Sequence, residues 1–273
     1  MRRVHPMAMS AARARSLPAF FVLVFALAAP FWVIGGLTGM QLTPDLPVSA
    51  LQFVCPGIAA AILVYRESGA AGLNALLRRS FDYERIGAKV WYIPTVLLQP
   101  VVYALTFGLM SLMGMPLPAA QFPILAALAT FLVFFVSGVA EELGWTGYAI
   151  DPMQARWDAL RASIFLGVLW AVFHYIPLLQ GDRSLAWIGW WALGTVAMRI
   201  LLTWIYNNTG KSVFAAAVFH AMGNLSSLGP FLNFGPGGYP FAAQRISGLM
   251  LAIVAATVIL LWGPRTLARF RTM

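Results

Sequence analysis

Stretches of about 20 predominantly apolar residues recur along the whole of this chain, near 18–40, 47–65, 90–113, 121–149, 162–180, 185–206, 212–228 and 245–263. A helix rising 1.5 Å per residue needs about that many to cross a hydrocarbon layer of roughly 30 Å. Lipid offers the backbone no hydrogen bonds, so each crossing segment must pair its own amides, which helices do and open sheets do not. The pattern predicts an all-α fold: a polytopic integral membrane helical bundle of about eight transmembrane helices. Only 10% of the 273 residues are charged and 60% are hydrophobic, against about 25% charged in soluble domains. The apolar character is spread evenly, so residues 1–273 read as a single membrane domain with no soluble module.

The basic residues orient the bundle. A formal charge of +9 would suggest nucleic acid in a soluble protein, but here Lys and Arg sit at the ends of apolar runs, and no nucleic-acid partner is expected. With the N-terminus in the cytoplasm, the tail and alternate connections hold Arg2, Arg3, Arg13 and Arg15, then Arg66, Arg78, Arg79, Arg85 and Lys89, then Arg156 and Arg161, then Lys211, then Arg265, Arg269 and Arg271. The opposite side keeps only Arg183 and Arg245, and Arg199 falls within a span. Cytoplasmic connections carry the excess of Lys and Arg. Both termini are therefore placed in the cytoplasm, and the protein in the plasma or inner membrane with the lipid bilayer as partner.

Several segments carry their own signals. The basic N-terminus before Phe20 resembles a signal peptide, yet the apolar run continues to Met40 and cleavage would break the charge alternation, so it reads as an uncleaved first span. Cys55 is the only cysteine, which excludes an intrachain disulfide and a cysteine metal site. Leu73, Leu76 and Leu77 with Arg78 and Arg79 predict a short amphipathic helix on the inner leaflet. The Gly- and Pro-rich stretch 229–244 predicts an outer loop.

Ionisable groups inside a bilayer cost roughly 2.5–3.5 kcal/mol each on insertion scales, so each needs a reason. Counted from the inner helix ends, Glu141, His174, His220 and Asn224 lie about 12–18 Å deep, on three different helices. His220 and Asn224 are four apart and share a face, as do Trp170 and His174. Pro177 cannot donate to the carbonyl of Phe173, which predicts an open backbone acceptor beside His174, tolerated where backbone lines a wet cavity. Glu142 projects about 100° around the helix from Glu141 and is expected off the catalytic face. Arg199, about 12 Å from the inner boundary, is at its depth and is expected to pair with it; the plain alternative is snorkelling to the headgroups.

The motifs Glu141-Glu142-Leu143-Gly144-Trp145-Thr146-Gly147-Tyr148, Trp170-Ala171-Val172-Phe173-His174 and His220-Ala221-Met222-Gly223-Asn224 resemble those of the CPBP family. These membrane proteases include type II CAAX prenyl endopeptidases and bacterial Abi, or bacteriocin-immunity-like, proteins. The resemblance covers about residues 69–228. It implies an intramembrane endopeptidase that hydrolyses peptide bonds of membrane-associated peptide or protein substrates near the inner leaflet. It further implies that Glu141 and His174 hold and activate a water, that His220 and Asn224 face the oxyanion, and that Trp170, Glu142 and Arg199 support them. A positioned carboxylate suits general-base work, and amide or imidazole N–H groups stabilise developing negative charge. Where the family motif carries Arg, this chain has Thr146, and Arg199 is expected to take over its structural role.

The cofactor stays open at this level. Zinc held by Glu141, His174 and His220 with an open fourth position would make the protein a metalloprotease, and a metal-free glutamate protease is the other reading of the family. Two further function classes remain: a non-enzymatic immunity-like or scaffold membrane protein, favoured by Thr146, and a small-solute transporter using the acidic pair as a proton relay.

Overall fold

The computed structural model describes residues 16–43, 46–117, 124–228 and 241–268. The helices are α1 (Leu17–Thr38), α2 (Cys55–Arg78), α3 (Tyr92–Leu112), α4 (Ile124–Gly144), α5 (Asp151–Arg156), α6 (Ala159–Gln180), α7 (Leu185–Asn208), α8 (Val213–Leu228) and α9 (Phe241–Trp262). Among the described residues, seven helical segments are long and apolar enough to cross a membrane, and Val213–Ser227 forms a shorter apolar helix. The protein is a multi-pass integral membrane protein, with α8 as the one short member of the expected set of eight. The stretch 229–240, expected as an outer loop, lies outside the described residues, and α9 begins directly after it.

Local sequence sets the helix ends. The Ser16 hydroxyl caps α1 by accepting from the Ala19 amide, and Gly39, at φ 61°, ends it in the left-handed region where a missing Cβ removes the steric penalty. Asp158 caps α6 by accepting from the Arg161 amide at 2.6 Å. The connection after α1 departs from the purely helical expectation. Gln41–Thr43 (β1) and Leu46–Pro47 (β2) pair antiparallel, with Gln41 opposite Pro47. This hairpin leads through a 3₁₀ turn, Val48–Val54, into α2. Such a pair stands only as an appendage to the bundle, since two strands leave edges that lipid cannot satisfy.

The amphipathic stretch is not a separate helix but the end of α2, which bends at Gly69 (φ 64°, ψ −161°) and continues to Arg78. Its Leu76 is buried against Gly147. Beyond it, Arg79 donates to the Gly147 carbonyl at 2.9 Å, to the Tyr206 hydroxyl at 2.8 Å and to the Lys211 carbonyl at 2.9 Å. Lys211 pairs with Asp151 at 3.0 Å, and Arg85 donates to the Gly210 carbonyl at 3.1 Å. The basic connections are thus tied together at one end of the bundle. The hairpin and the α6–α7 turn occupy the other.

Small residues let α4 approach its neighbours, as membrane helices do when no hydrophobic effect drives them together. A Cβ at Gly144 would sit 2.4 Å from the Pro56 carbonyl oxygen, and one at Gly57 would sit 2.5 Å from that of Ala140. The α2–α4 seam is therefore backbone on backbone. Aromatic rings fill the space beneath it: Trp145 meets Phe20 of α1 edge-on at 5.7 Å and Phe173 of α6 at 5.6 Å.

Candidate active site

The acidic motif ends α4 and runs into one turn of π-helix, Trp145–Ile150, in which all six residues are buried. Such turns insert a residue into the helical ladder and gather at functional sites. Here the two carboxylates just before it turn to different partners.

Glu141, 4% exposed, accepts through Oε2 from the indole N–H groups of Trp170 at 2.7 Å and Trp145 at 3.3 Å. His174, one turn beyond Trp170 on α6, has Nδ1 2.8 Å from the Trp170 carbonyl. A carbonyl only accepts, so Nδ1 carries the proton and Nε2 presents its lone pair. Trp191, Phe173 and Trp170 surround the ring, with centroids at 5.5, 5.3 and 5.9 Å. Glu141, His174 and Asn224 all line one cavity of about 290 Å³.

Glu142 lies behind this layer, fully buried. Arg199, on α7, donates to its two oxygens at 2.8 and 3.1 Å, Thr146 donates to Oε2, and His220 Nδ1 lies 2.9 Å from Oε1. The pairing expected from the depth of Arg199 is present, in place of snorkelling. Glu142 stands off the cavity face, as its 100° offset from Glu141 predicts, and through His220 it is bound to the helix that carries Asn224. An ion pair makes Glu142 an acceptor only, so Nδ1 of His220 is the donor. The Arg199 guanidinium also lies 4.2 Å from the centre of the Trp170 ring, a cation–π contact between two buried side chains. His220 packs edge-on against the same ring at 5.1 Å. Trp170 thus touches Glu141, His174, Arg199 and His220, four of the five charged or basic members of the cluster, much more than the stacking partner its spacing suggested.

The predicted open acceptor at Phe173 is filled. Gln52 of the 3₁₀ turn donates to that carbonyl at 2.9 Å and accepts from the Trp32 indole. Gln52 was missed because it lies outside the three motifs and carries no charge. An amide within the apolar run Ser49–Val54 was the available signal, since a polar group at that depth needs a partner.

For zinc on Glu141, His174 and His220, among the described residues no three His, Cys, Asp or Glu side chains gather as a metal site. The bonds of Glu141 Oε2 to two indoles and of His220 Nδ1 to Glu142 leave Oε1 and Nε2 facing away from those partners, as they also do in ligating groups.

Residues 122–226, which contain Glu141, Glu142, Trp170, His174, Arg199, His220 and Asn224, match the family described as type II CAAX prenyl endopeptidase, Rce1-like. The chain is also 27% identical over 225 residues to CAAX prenyl protease 2 of Methanococcus maripaludis, an alignment covering 76% of this chain and 82% of that protein. The core of the chain, residues 122–226, is Rce1-like. It is a peptidase, and the scaffold, immunity and transporter readings are set aside on that ground. Within an Rce1-like site, Thr146 in place of the motif Arg no longer argues for lost function, because Arg199 brings a guanidinium to the same carboxylate.

From Glu141 the cavity extends past Pro177 and Leu178 to Gly181 and Arg183, and to Leu42, Leu46 and Pro47 of the hairpin.

Proposed function

We propose that this Rce1-like peptidase hydrolyses a peptide bond of membrane-associated substrates with a water activated by Glu141 and His174. The observation that carries the reading is the convergence of Glu141, His174 and Asn224, from α4, α6 and α8, on one largely apolar cavity. Both indole donors sit on Oε2 of Glu141, which leaves Oε1 as the oxygen assigned to the water's proton. The Nε2 lone pair of His174 accepts the water's second hydrogen and orients its oxygen toward the scissile carbonyl. Attack forms the tetrahedral intermediate; Glu141 then passes its proton to the departing amine nitrogen, and the carbon–nitrogen bond breaks. The Asn224 amide donates to the oxyanion. His220, with Nδ1–H on Glu142, adds a second donor when Nε2 is also protonated. Glu142, Arg199 and Trp170 hold His220 and Glu141 in place and touch no reacting atom. The substrates are peptides anchored in the bilayer by an apolar group, in keeping with the CAAX prenyl protease named among the relatives.

Glu141→Gln tests this reading, because the amide retains the shape and accepts from the indoles but takes no proton. Detergent-purified wild type and variant are incubated with a membrane proteome, and new peptide termini are counted by mass spectrometry. Cleavage falls by at least about 10³-fold, the upper range for removing a general base, with unchanged thermal unfolding. Wild-type cleavage by Glu141→Gln refutes the assignment.

A further inference from the structure

The helix that carries His220 and Asn224 is the short member of the bundle. The 16 residues of α8 rise about 24 Å, against a hydrocarbon layer of roughly 30 Å. Hydrophobic matching fixes the depth of such a helix only loosely, because a bilayer adapts to mismatch at modest cost. A contact at one of its ends has to set where it stands.

That hold comes from a distant part of the chain. In the segment between α2 and α3, Asp82 accepts through Oδ1 from the Ser212 hydroxyl at 2.8 Å and the Phe214 amide at 3.0 Å, and through Oδ2 from the Val213 amide at 3.4 Å. The Ser212 hydroxyl in turn accepts from the Ala215 amide at 3.1 Å. Val213, Phe214 and Ala215 open α8, so their amides have no partner within the helix, and a carboxylate is favoured at that positive end. Asp82 thus caps α8 across 130 positions of sequence. The cap is itself held: the Nε atoms of Arg79 and Arg85 lie 3.7 and 3.5 Å from Asp82 Oδ2, and the Asp82 side chain is only 10% exposed. A Cβ at Gly210 would sit 2.4 Å from the Arg85 carbonyl oxygen, so the turn into α8 meets this segment backbone on backbone. On the other side, Arg79 donates to the Gly147 carbonyl in the π-helical turn that follows Glu141 and Glu142. One short stretch, 79–85, therefore grips both the helix of the carboxylates and the helix of the donors.

We infer that Asp82 is a positioning residue of the active site: it sets the depth and rotation of α8, so that His220 meets Glu142 and Asn224 meets the cavity. His220 stands about 10 Å along the axis from Val213, and Asn224 about 16 Å. Slipping the helix by one residue moves both by about 1.5 Å and turns them by about 100°. The 2.9 Å bond from His220 to Glu142 does not survive such a slip, and a misplacement of about 1 Å costs on the order of 10²-fold in rate. Losing the cap takes only a modest part of the stability of a helix packed against α3, α4 and α7. Asp82 touches no reacting atom, and its effect passes through α8.

This rests on the catalytic assignment above, and the experiment separates the two. Asp82→Ala, Asp82→Asn and Ser212→Ala are compared with wild type in nanodiscs, using a synthetic peptide copied from a site that wild type cleaves in the membrane proteome. Cleavage gives kcat and KM, and thermal unfolding gives stability. Hydrogen exchange at the imidazole C2 position, read by mass spectrometry, reports the surroundings of His220 with no need for activity. Asp82→Ala lowers kcat by about 10²-fold with KM within about twofold, speeds exchange at His220 and leaves the unfolding midpoint close to wild type. Asp82→Asn keeps an oxygen for the Phe214 amide and recovers most of kcat. Ser212→Ala, which loses the link to Ala215 while Asp82 stays in place, gives a smaller fall in kcat. Wild-type kcat in Asp82→Ala, or a fall in kcat with exchange at His220 unchanged, overturns the inference; should Asp82→Ala fail to fold, wild-type kcat in Ser212→Ala does the same. Faster exchange at His220 in Asp82→Ala, combined with cleavage that does not depend on Glu141, would refute the catalytic assignment and leave the positioning of α8 standing.

Discussion

Removing Arg199 should leave Glu142 as an uncompensated charge in the membrane interior. Glu142 is 0% exposed and Arg199 1%, and the pair is joined at 2.8 and 3.1 Å. Breaking such a buried pair from one side costs about 3–5 kcal/mol, and the lost cation–π contact with Trp170 adds up to about 2 kcal/mol. The expected loss for Arg199→Ala is therefore about 4–6 kcal/mol, with a similar loss for Glu142→Leu. The double variant removes both charges together, so its loss should be well below the sum, with a coupling of about 2–3 kcal/mol. Equilibrium unfolding in mixed micelles reads these values. A purely structural pair would stop there, but His220 also hangs on Glu142 at 2.9 Å. Cleavage by folded Arg199→Ala should consequently drop in kcat with little change in KM. Thr146→Arg should restore part of both losses, because the Thr146 hydroxyl already bonds Glu142 and Arg199, among the largest fully buried side chains, leaves room for the new one. Additive losses within about 0.5 kcal/mol and no rescue by Thr146→Arg would refute the reasoning.

Gln52→Leu removes the donor to the Phe173 carbonyl and should cost about 1–3 kcal/mol for the orphaned acceptor, with reduced cleavage because His174 is the next residue; an unchanged unfolding midpoint would count against that cap. Cysteine probes at Glu84 and at Ser184 test orientation. The first should react with an impermeant reagent only from the cytoplasm and the second only from outside; labelling of both from one side would contradict an odd number of crossings between them.

The number, order and approximate ends of the membrane helices were legible in the sequence, because hydropathy over twenty residues is a local property that no tertiary contact has to complete. The same holds for the shared layer of Glu141, His174, His220 and Asn224 and for the Arg199–Glu142 match, both of which follow from rise per residue along helices of known direction. Rotation about each helix axis was not legible. A helix apolar on every side carries little record of which face turns inward, and the π-helical turn after Gly144 shifts the register further. Only the packed structure, through backbone contacts such as Gly144 on Pro56, decided that His220 turns to Glu142 while His174 and Asn224 line the cavity with Glu141. It alone brought Gln52 to a carbonyl 121 positions away. Depth is written in a membrane helix one residue at a time; facing is settled only when the helices meet.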